Sequence, residues 1–329
     1  MNQTIINIWL KFILCFNISK IKYSYVSLVL LMSSNIDYKL LRALATVVQE
    51  QSFERASEKL YISQSAVSQR IKQLEQNLSQ PVIIRSSPLR ATEIGKRLIS
   101  HYHQVTQLET DLLPEIFNED LNKVITVHLA TNADSLATWL IPAIAPIIKS
   151  KPIELNLLVS NEKTTIQKLK DGEVFGAIGT HNTPIKGCQM TELGTINYVL
   201  AASPEFSDRY FKKGISKQSL VGVPGVAFDH FDNMHTQFAQ QQFGLSNEDY
   251  PLHTVRSSEA FITMVKNSTA YSFISELQIR EELNSGALIN IMPEYSIVDT
   301  LYWHRWTLLK GVYKEISERI IEHGQNVLN

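Results

Sequence analysis

Cysteine is nearly missing from this chain: Cys15 and Cys188 are the only two in 329 residues, and they lie far apart. That excludes a disulfide framework and a thiolate metal site, and it points to a reducing, cytoplasmic compartment. Net charge is almost absent too, a formal −1 from 31 basic and 32 acidic residues. No global positive field therefore marks the chain as a partner of nucleic acid. The sequence contains no GxxxxGK[ST], GxSxG or HExxH pattern, so phosphate-loop, nucleophile-elbow and zinc-protease chemistries have no carrier. The nine histidines are scattered. His101 and His103 stand two apart on a predicted helix and face different ways, while His230 and His235 stand five apart with no cysteine near. No metal and no cofactor is expected, and Met234, Met264, Tyr302, Trp303 and Trp306 read as core packing. With no catalytic constellation, the chain is not expected to be an enzyme.

A long hydrophobic run is also lacking where it would matter most. Residues 1–31 are apolar, basic and free of acids, but Lys11, Lys20 and Lys22 interrupt them. The longest uncharged run there, Tyr23 to Ile36, is 14 residues. A bilayer-spanning helix needs about 20. No small-x-small cleavage signature follows, so neither a signal peptide nor stable membrane association is expected. The segment is rich in residues with AT-rich codons, as translated upstream DNA often is, and Met32 is the expected physiological start.

What is present is ample apolar material, 44% of the chain, enough for two or three domains. Charge is also distributed unevenly: between Arg55 and Arg90 there are six cations and two acids. Residues 52 to 75, which overlap that stretch, carry the strongest pattern. Ser52 can cap a short helix whose Phe53, Ala56 and Leu60 share one face. Tyr61-Ile62-Ser63 breaks the pattern, and Ser63 or Gln64 opens a second helix with apolar Ala66, Val67, Ile71, Leu74 and Leu78. Its other face carries Ser65, Ser68, Gln69, Lys72 and Gln76. Amides and hydroxyls on such a face suit base edges, and cations suit phosphates. One polar helix alone would be a solvated surface helix. A tripeptide turn, an alanine at the close-packing position and a polar second helix poor in acids together spell a helix-turn-helix.

These residues, with the flanking DYKLLRALATVVQEQ and the later TEIG, resemble the DNA-binding domain of the LysR-type transcriptional regulators. The resemblance runs on through TNADSLATWLIPAIAP, VAFDHFDNMHTQF, RSSEAF and LYWHRW, and covers the chain from Met32 to its end. Those later segments are similar to one subgroup, the regulators of arginine and lysine transport. The resemblance implies an N-terminal all-α winged helix-turn-helix plus linker helix. A C-terminal α/β effector domain of two subdomains would follow, sharing its fold with periplasmic solute-binding proteins. It implies promoter or operator DNA as partner, RNA polymerase as a possible one, a homodimer or homotetramer, and lysine or arginine as effector. Gln64, Ser65, Ser68 and Gln69 match positions that face bases, and Ser52 joins the DNA-binding set. Arg70, Lys72, Arg85 and Arg90 suit phosphate. The competing function is an extracytoplasmic solute-binding protein, for which residues 37 to 92 have no use.

The expected organisation is an extension over 1–31, a DNA-binding domain over 32–91, a linker helix and hinge over 92–120, and an effector domain over 121–329. A first helix is predicted from Asp37 to about Gln51, and PVIIRSSPLRAT has the β-prone run and turn of a wing. From the cap Thr92 a helix is predicted to about Leu113, ended by Pro114. Its Ile94, Leu98, His101, Val105, Leu108 and Leu112 are spaced as a coiled-coil seam; packing within its own domain is the alternative, and the resemblance favours a dimerising linker helix. Beyond Asn122 strands and helices alternate, a rhythm that implies a mostly parallel sheet. Subdomain I is expected over about 121–195 and 297–329, and subdomain II over about 196–296.

In such sheets a ligand sits beyond the carboxyl ends of strands, at helix starts. Three segments have that character: Asn132, Asp134 and Ser135; Phe228, Asp229 and His230; Ser257, Ser258 and Glu259. Thr180, after the strand ending GAIG, is a further candidate. Helix capping alone explains several of these residues equally well. Together Asp134, Asp229 and Glu259 suit a cationic amino acid. Regulators of this type place a proline after the strand that here reads YSFIS; Ser275 stands there instead and is expected to cap ELQIREEL.

Overall fold

Asp37 opens the first helix by accepting the Lys39 amide at 2.8 Å, satisfying one of the donors every helix start leaves free. The structure is a computed structural model, and it describes residues 36–117, 124–161, 164–229, 232–246 and 249–328. The expected Met32 start, the 1–31 extension and His230 lie outside the described residues. The chain divides into two compact units between Tyr102 and His103.

The first unit contains α1 (Tyr38–Glu50), α2 (Phe53–Leu60), α3 (Gln64–Leu78), a hairpin of β1 (Ile83–Ile84) and β2 (Arg90–Ala91), and the start of α4 (Glu93–Phe117). Leu40, Leu41, Leu44 and Val47 of α1 pack with Ala56 of α2 and Val67, Ile71 and Leu74 of α3. Ala56 is fully buried, because only a methyl fits where these helices meet. Thr92 caps α4 by accepting from Gly95 N at 3.1 Å, while its own N–H donates to Val82 O. Ile94, Leu98 and Tyr102 pack on this same core, so the first part of the heptad seam is used inside the unit. α4 does not end before Pro114 but continues to Phe117. An interior proline removes one backbone hydrogen bond and crowds the carbonyl four residues back, which weakens a helix without always ending it.

The second unit opens with β3 (Ile125–Thr131). α5 (Ala133–Ser135) passes through a π-helical turn, Leu136–Leu140, into α6 (Ile141–Ser150). β4 (Ile153–Val159), α7 (Thr165–Lys170), β5 (Gly176–Gly179) and the long β6 (Cys188–Ala202) follow. The chain then forms α8 (Pro204–Tyr210), α9 (Lys217–Leu220), β7 (Gly225–Ala227), α10 (Met234–Phe243) and β8 (Leu252–Thr254). It closes with α11 (Ser258–Lys266), β9 (Ser272–Ser275), α12 (Arg280–Ser285), β10 (Ile289–Asn290), β11 (Ser296–Trp306) and α13 (Gly311–Val327).

The main sheet has the order β10-β6-β11-β5-β3-β4, with β9 also paired to β6. β3 runs parallel to β4 and β5, as alternation predicts. β6 and β11 are antiparallel over nearly their whole length, from Ser296↔Val199 to Trp306↔Cys188. The sheet is therefore mixed rather than mostly parallel. β6 carries the chain out to a second lobe built on β7, β8 and β9, and β11 brings it back, so the two crossing strands must oppose each other. Gly176 in β5 lies against the Trp303 ring of β11, where a Cβ would overlap the indole. The Trp303 indole N–H donates to Ser317 Oγ of α13 at 2.9 Å, which fixes that helix on the sheet.

Ser275 does not cap the following helix. It is the last residue of β9, opposite Tyr198 and fully buried, and α12 begins only at Arg280 without a side-chain cap. Its carbonyl receives Gln278 N and Ile279 N, so a turn intervenes between strand and helix. Burial pushes the Cys188 thiol up to about 11, away from thiolate chemistry.

Candidate DNA-binding and effector sites

α3 is held at its start by Ser63, whose Oγ accepts from Ala66 N at 3.2 Å. The three apolar positions Val67, Ile71 and Leu74 face the core. That orientation leaves Gln64, Ser65, Ser68, Gln69 and Lys72 exposed on the outer face, with Arg70 half-buried at its margin. Ser52 is used as the cap of α2, accepting from Arg55 N at 3.3 Å. Arg85 follows β1 and Arg90 lies in β2, both exposed at the wing. The wing is tied to α3 by Glu75, whose Oε1 accepts from Val82 N at 3.0 Å. At Gly95 an added Cβ would overlap Val82 O, so α4 can approach the wing only with glycine there.

Charge counting along the sequence overstated the free cations. Arg55 donates to Glu50 O through Nε and Nη2, and Lys59 pairs with the Glu50 carboxylate at 2.7 Å. The Lys59 hydrogen bond lowers the Glu50 carboxyl below its usual range. Both cations thus close the end of α1, whereas Arg70, Lys72, Arg85 and Arg90 make no ion pair among the described residues. Tyr61, missed in the sequence, is 93% exposed in the turn with a left-handed backbone. Its only sequence signal was its place in the tripeptide turn.

In the second unit a small cavity of about 30 Å³ lies at the junction of the lobes. Asp134 and Ser160 come from one lobe, Phe228, Asp232 and Phe261 from the other, and Tyr198 from the crossing strand β6. The Tyr198 hydroxyl donates to Asp134 Oδ2 at 2.8 Å. Burial pushes the Asp134 carboxyl up to about 6; Asp232 and Glu259 raise it further, while the Tyr198 bond opposes them. Among the described residues, no lysine or arginine is among the groups that act on it. Asn132 and Ser135 are buried beside Asp134, with both amide atoms of Asn132 and the Ser135 hydroxyl unpaired; Ser160 Oγ is unpaired as well.

The predicted candidates are thus distributed unequally. Asp134 and Phe228 line the cavity, Glu259 acts electrostatically on Asp134, and Asn132 and Ser135 are its buried chain neighbours without lining the cavity themselves. Ser257 caps α11, accepting from Ala260 N and donating to Glu259 Oε2 at 2.8 Å. Ser258 is buried and accepts from Gln278 Nε2. Asp229 braces its own loop by accepting from Asp232 N. Thr180, half-exposed just beyond β5, is not among the cavity residues. Sequence reasoning missed Tyr198, Ser160 and Asp232. The first two lie in or just after strands, where no cap pattern marks them. Asp232 accepts from Phe228 N and Met234 N, and so holds the loop at the cavity wall.

The site offers concentrated negative charge and unpaired hydrogen-bonding groups, a set suited to a small cation with polar ends. Among the described residues no cluster of three or more His, Cys, Asp or Glu could hold a metal ion. No helix among the described residues is long and apolar enough to cross a membrane.

Residues 38–96 match the bacterial regulatory helix-turn-helix protein, lysR family, and residues 125–306 match the LysR substrate binding domain. The chain belongs to the LysR family of bacterial transcriptional regulators. Within that family it is 50% identical over 293 residues to the HTH-type transcriptional regulator ArgP of Aeromonas salmonicida, covering 89% of this chain and 98% of that one. Among solved structures it is similar to ArgP from Mycobacterium tuberculosis, with a TM-score of 0.78, 28% identity, and 88% of this chain and 98% of that one covered. It is also similar to full-length LysG from Corynebacterium glutamicum, a LysR-type regulator solved with its effector arginine bound. The TM-score there is 0.73 at 27% identity, covering 88% of this chain and 99% of LysG. A LysR-family regulator with its own helix-turn-helix replaces the solute-binding reading.

Proposed function

We propose that this LysR-family regulator binds promoter DNA through α3 and the wing, and that arginine or lysine in the cavity between the lobes sets its response. The observation that carries the effector half is the negative charge around Asp134, with Asp232 and Glu259 adding to it and no side-chain cation among the described residues acting on it. A ligand guanidinium or ammonium would supply the missing charge. Asn132, Ser135 and Ser160, buried with unpaired atoms, would hold the ligand's carboxylate and amino groups. The arginine bound in LysG supports the same class of ligand. The cavity as it stands has room for about two water molecules, so the lobes would have to part to admit the ligand.

The working form we propose is a cytoplasmic homodimer or homotetramer, with RNA polymerase as a further partner at promoters. β4 is a free sheet edge carrying an exposed Val159, which favours covering by a second copy. The proposed boundaries are 32–91 for DNA binding, 92–120 for the linker and 121–329 for effector binding, the last with lobes over about 121–195 with 297–329 and about 196–296.

Titration calorimetry with arginine and with lysine tests the effector reading. Binding of at least one is expected, weakened about tenfold or more by Asp134→Asn, equivalent to ~1.4 kcal/mol. If neither amino acid binds, the effector assignment falls.

A further inference from the structure

The turn between α2 and α3 carries a side chain that the fold does not use. Tyr61 is 93% exposed, the most exposed of the large apolar side chains among the described residues. Its chain neighbours Leu60 and Ile62 pack against the core of the first unit, whereas Tyr61 has no place in that cluster. Its backbone is left-handed, with φ 55° and ψ 42°, and its N–H closes α2 on Glu58 O. A bulky side chain is disfavoured in that conformation, and glycine, or sometimes asparagine, is the usual residue of a left-handed cap. Three other described non-glycine residues have positive φ, Gln51, Ser79 and Ser268, and each is small or polar where Tyr61 is aromatic. Neither packing nor turn geometry therefore accounts for a tyrosine here.

Its place in the motif does. Tyr61 stands two peptide links before Ser63, so their Cα atoms lie within about 7.6 Å of each other. Ser63 caps α3, and Gln64 and Ser65 begin the exposed face of that helix. When a helix-turn-helix docks, the N-terminal residues of its second helix reach base edges while its first helix crosses the backbone. The turn joining the two is thus held at the edge of the groove, beside the phosphates. Both cations of α2 are engaged elsewhere, Arg55 with Glu50 O and Lys59 with the Glu50 carboxylate. A hydroxyl on the turn supplies a donor at this edge that those cations do not.

We propose that Tyr61 is a DNA-contacting residue whose hydroxyl donates to a backbone phosphate flanking the bases that α3 reads. The inference rests on the DNA-binding role of α3. A phosphate contact of this kind positions the motif without reading sequence. Because tyrosine is uncharged it releases no counterion, so it adds affinity without adding to the salt slope. That separates it from Arg70, whose loss lowers the slope. The left-handed backbone carries a bulky side chain for the sake of the complex. Stability of the free protein and affinity for DNA therefore respond to its removal in opposite directions.

The test is gel-shift titration of the full chain over a range of salt concentrations, on the promoter region of a basic-amino-acid transport gene and on a random-sequence duplex. Tyr61→Phe is expected to weaken binding about threefold to tenfold on both duplexes, the worth of one hydrogen bond, with the salt slope unchanged. Tyr61→Gly is expected to weaken both at least as much, while its thermal unfolding midpoint stays at or above the wild-type value. Wild-type affinity in Tyr61→Phe overturns the contact and leaves the DNA-binding role of α3 standing. A loss confined to the promoter makes Tyr61 a base reader and overturns the phosphate assignment, and a lowered salt slope overturns the uncharged contact. If both variants unfold at lower temperature than wild type, the tyrosine belongs to the fold and the proposal falls. Retardation of neither duplex by the wild-type protein removes the DNA-binding role of α3 and this contact with it.

Discussion

Asp134 carries the clearest prediction at the scale of single residues. Its carboxyl holds a proton in the folded chain up to about pH 6, whereas in the unfolded chain it ionises near 3.8. The native state therefore binds more protons across that window, and stability falls as pH rises through it before levelling off above pH 6. The loss is on the order of 3 kcal/mol. Asp134→Asn should remove that slope and leave the free protein more stable than wild type at pH 7.5, measured by denaturant unfolding at pH 4.5 and 7.5. The same variant should bind arginine more weakly, since the charge that destabilises the empty protein is the charge the ligand would meet. Equal pH slopes in the two proteins would remove Asp134 from this role. On α3, Arg70→Ala should weaken binding to all DNA sequences and lower the salt slope by about one. Gln64→Ala should instead relax specificity, at roughly 1–3 kcal/mol per bidentate base contact. Equal losses on operator and random DNA would assign Gln64 to the backbone.

The elements depend on close approaches that only glycine allows. Gly95 lets α4 start directly against Val82 O. In Gly95→Ala the obstacle is backbone, which cannot swing aside, so overpacking should cost about 1–3 kcal/mol and displace the wing. Unfolding free energy and operator affinity should fall together; wild-type values of both would mean the helix start shifts without cost. Gly176 against the Trp303 ring predicts the same kind of loss for the second unit on Gly176→Ala. Most elements were legible beforehand, because α3 and α13 bury one periodic face and β3 and β4 are short apolar runs, and both patterns are displayed by a sequence. Pro114 and Ser275 were misread for the opposite reason. A proline is tolerated or not according to the helix around it, and a serine caps a helix only if the strand before it ends in time.

For the whole molecule the two halves of the function should meet in one gel-shift experiment. Full-length protein is expected to retard the promoter region of a basic-amino-acid transport gene against random competitor, with a shift altered by arginine or lysine. Specific retardation indifferent to both amino acids would retain the regulator and discard the effector. A homodimer would recognise two half-sites about one helical turn or a multiple apart, which footprinting measures. A single protected half-site would count against the dimer.

The sequence by itself determined the helix-turn-helix, the wing and the alternating α/β domain, since each follows from local periodicity, caps and turn residues within a few dozen positions. It also singled out Asp134 and Phe228, because strand ends followed by helix starts are visible in one dimension. Tertiary structure decided the rest. It spent Arg55 and Lys59 on Glu50, turned the sheet mixed through the crossing of β6 with β11, and brought Tyr198 onto Asp134 across 64 positions of chain. Those outcomes depend on which surfaces meet after the chain has folded back on itself, and on the desolvation that meeting imposes. Neither quantity is carried by any local stretch of residues.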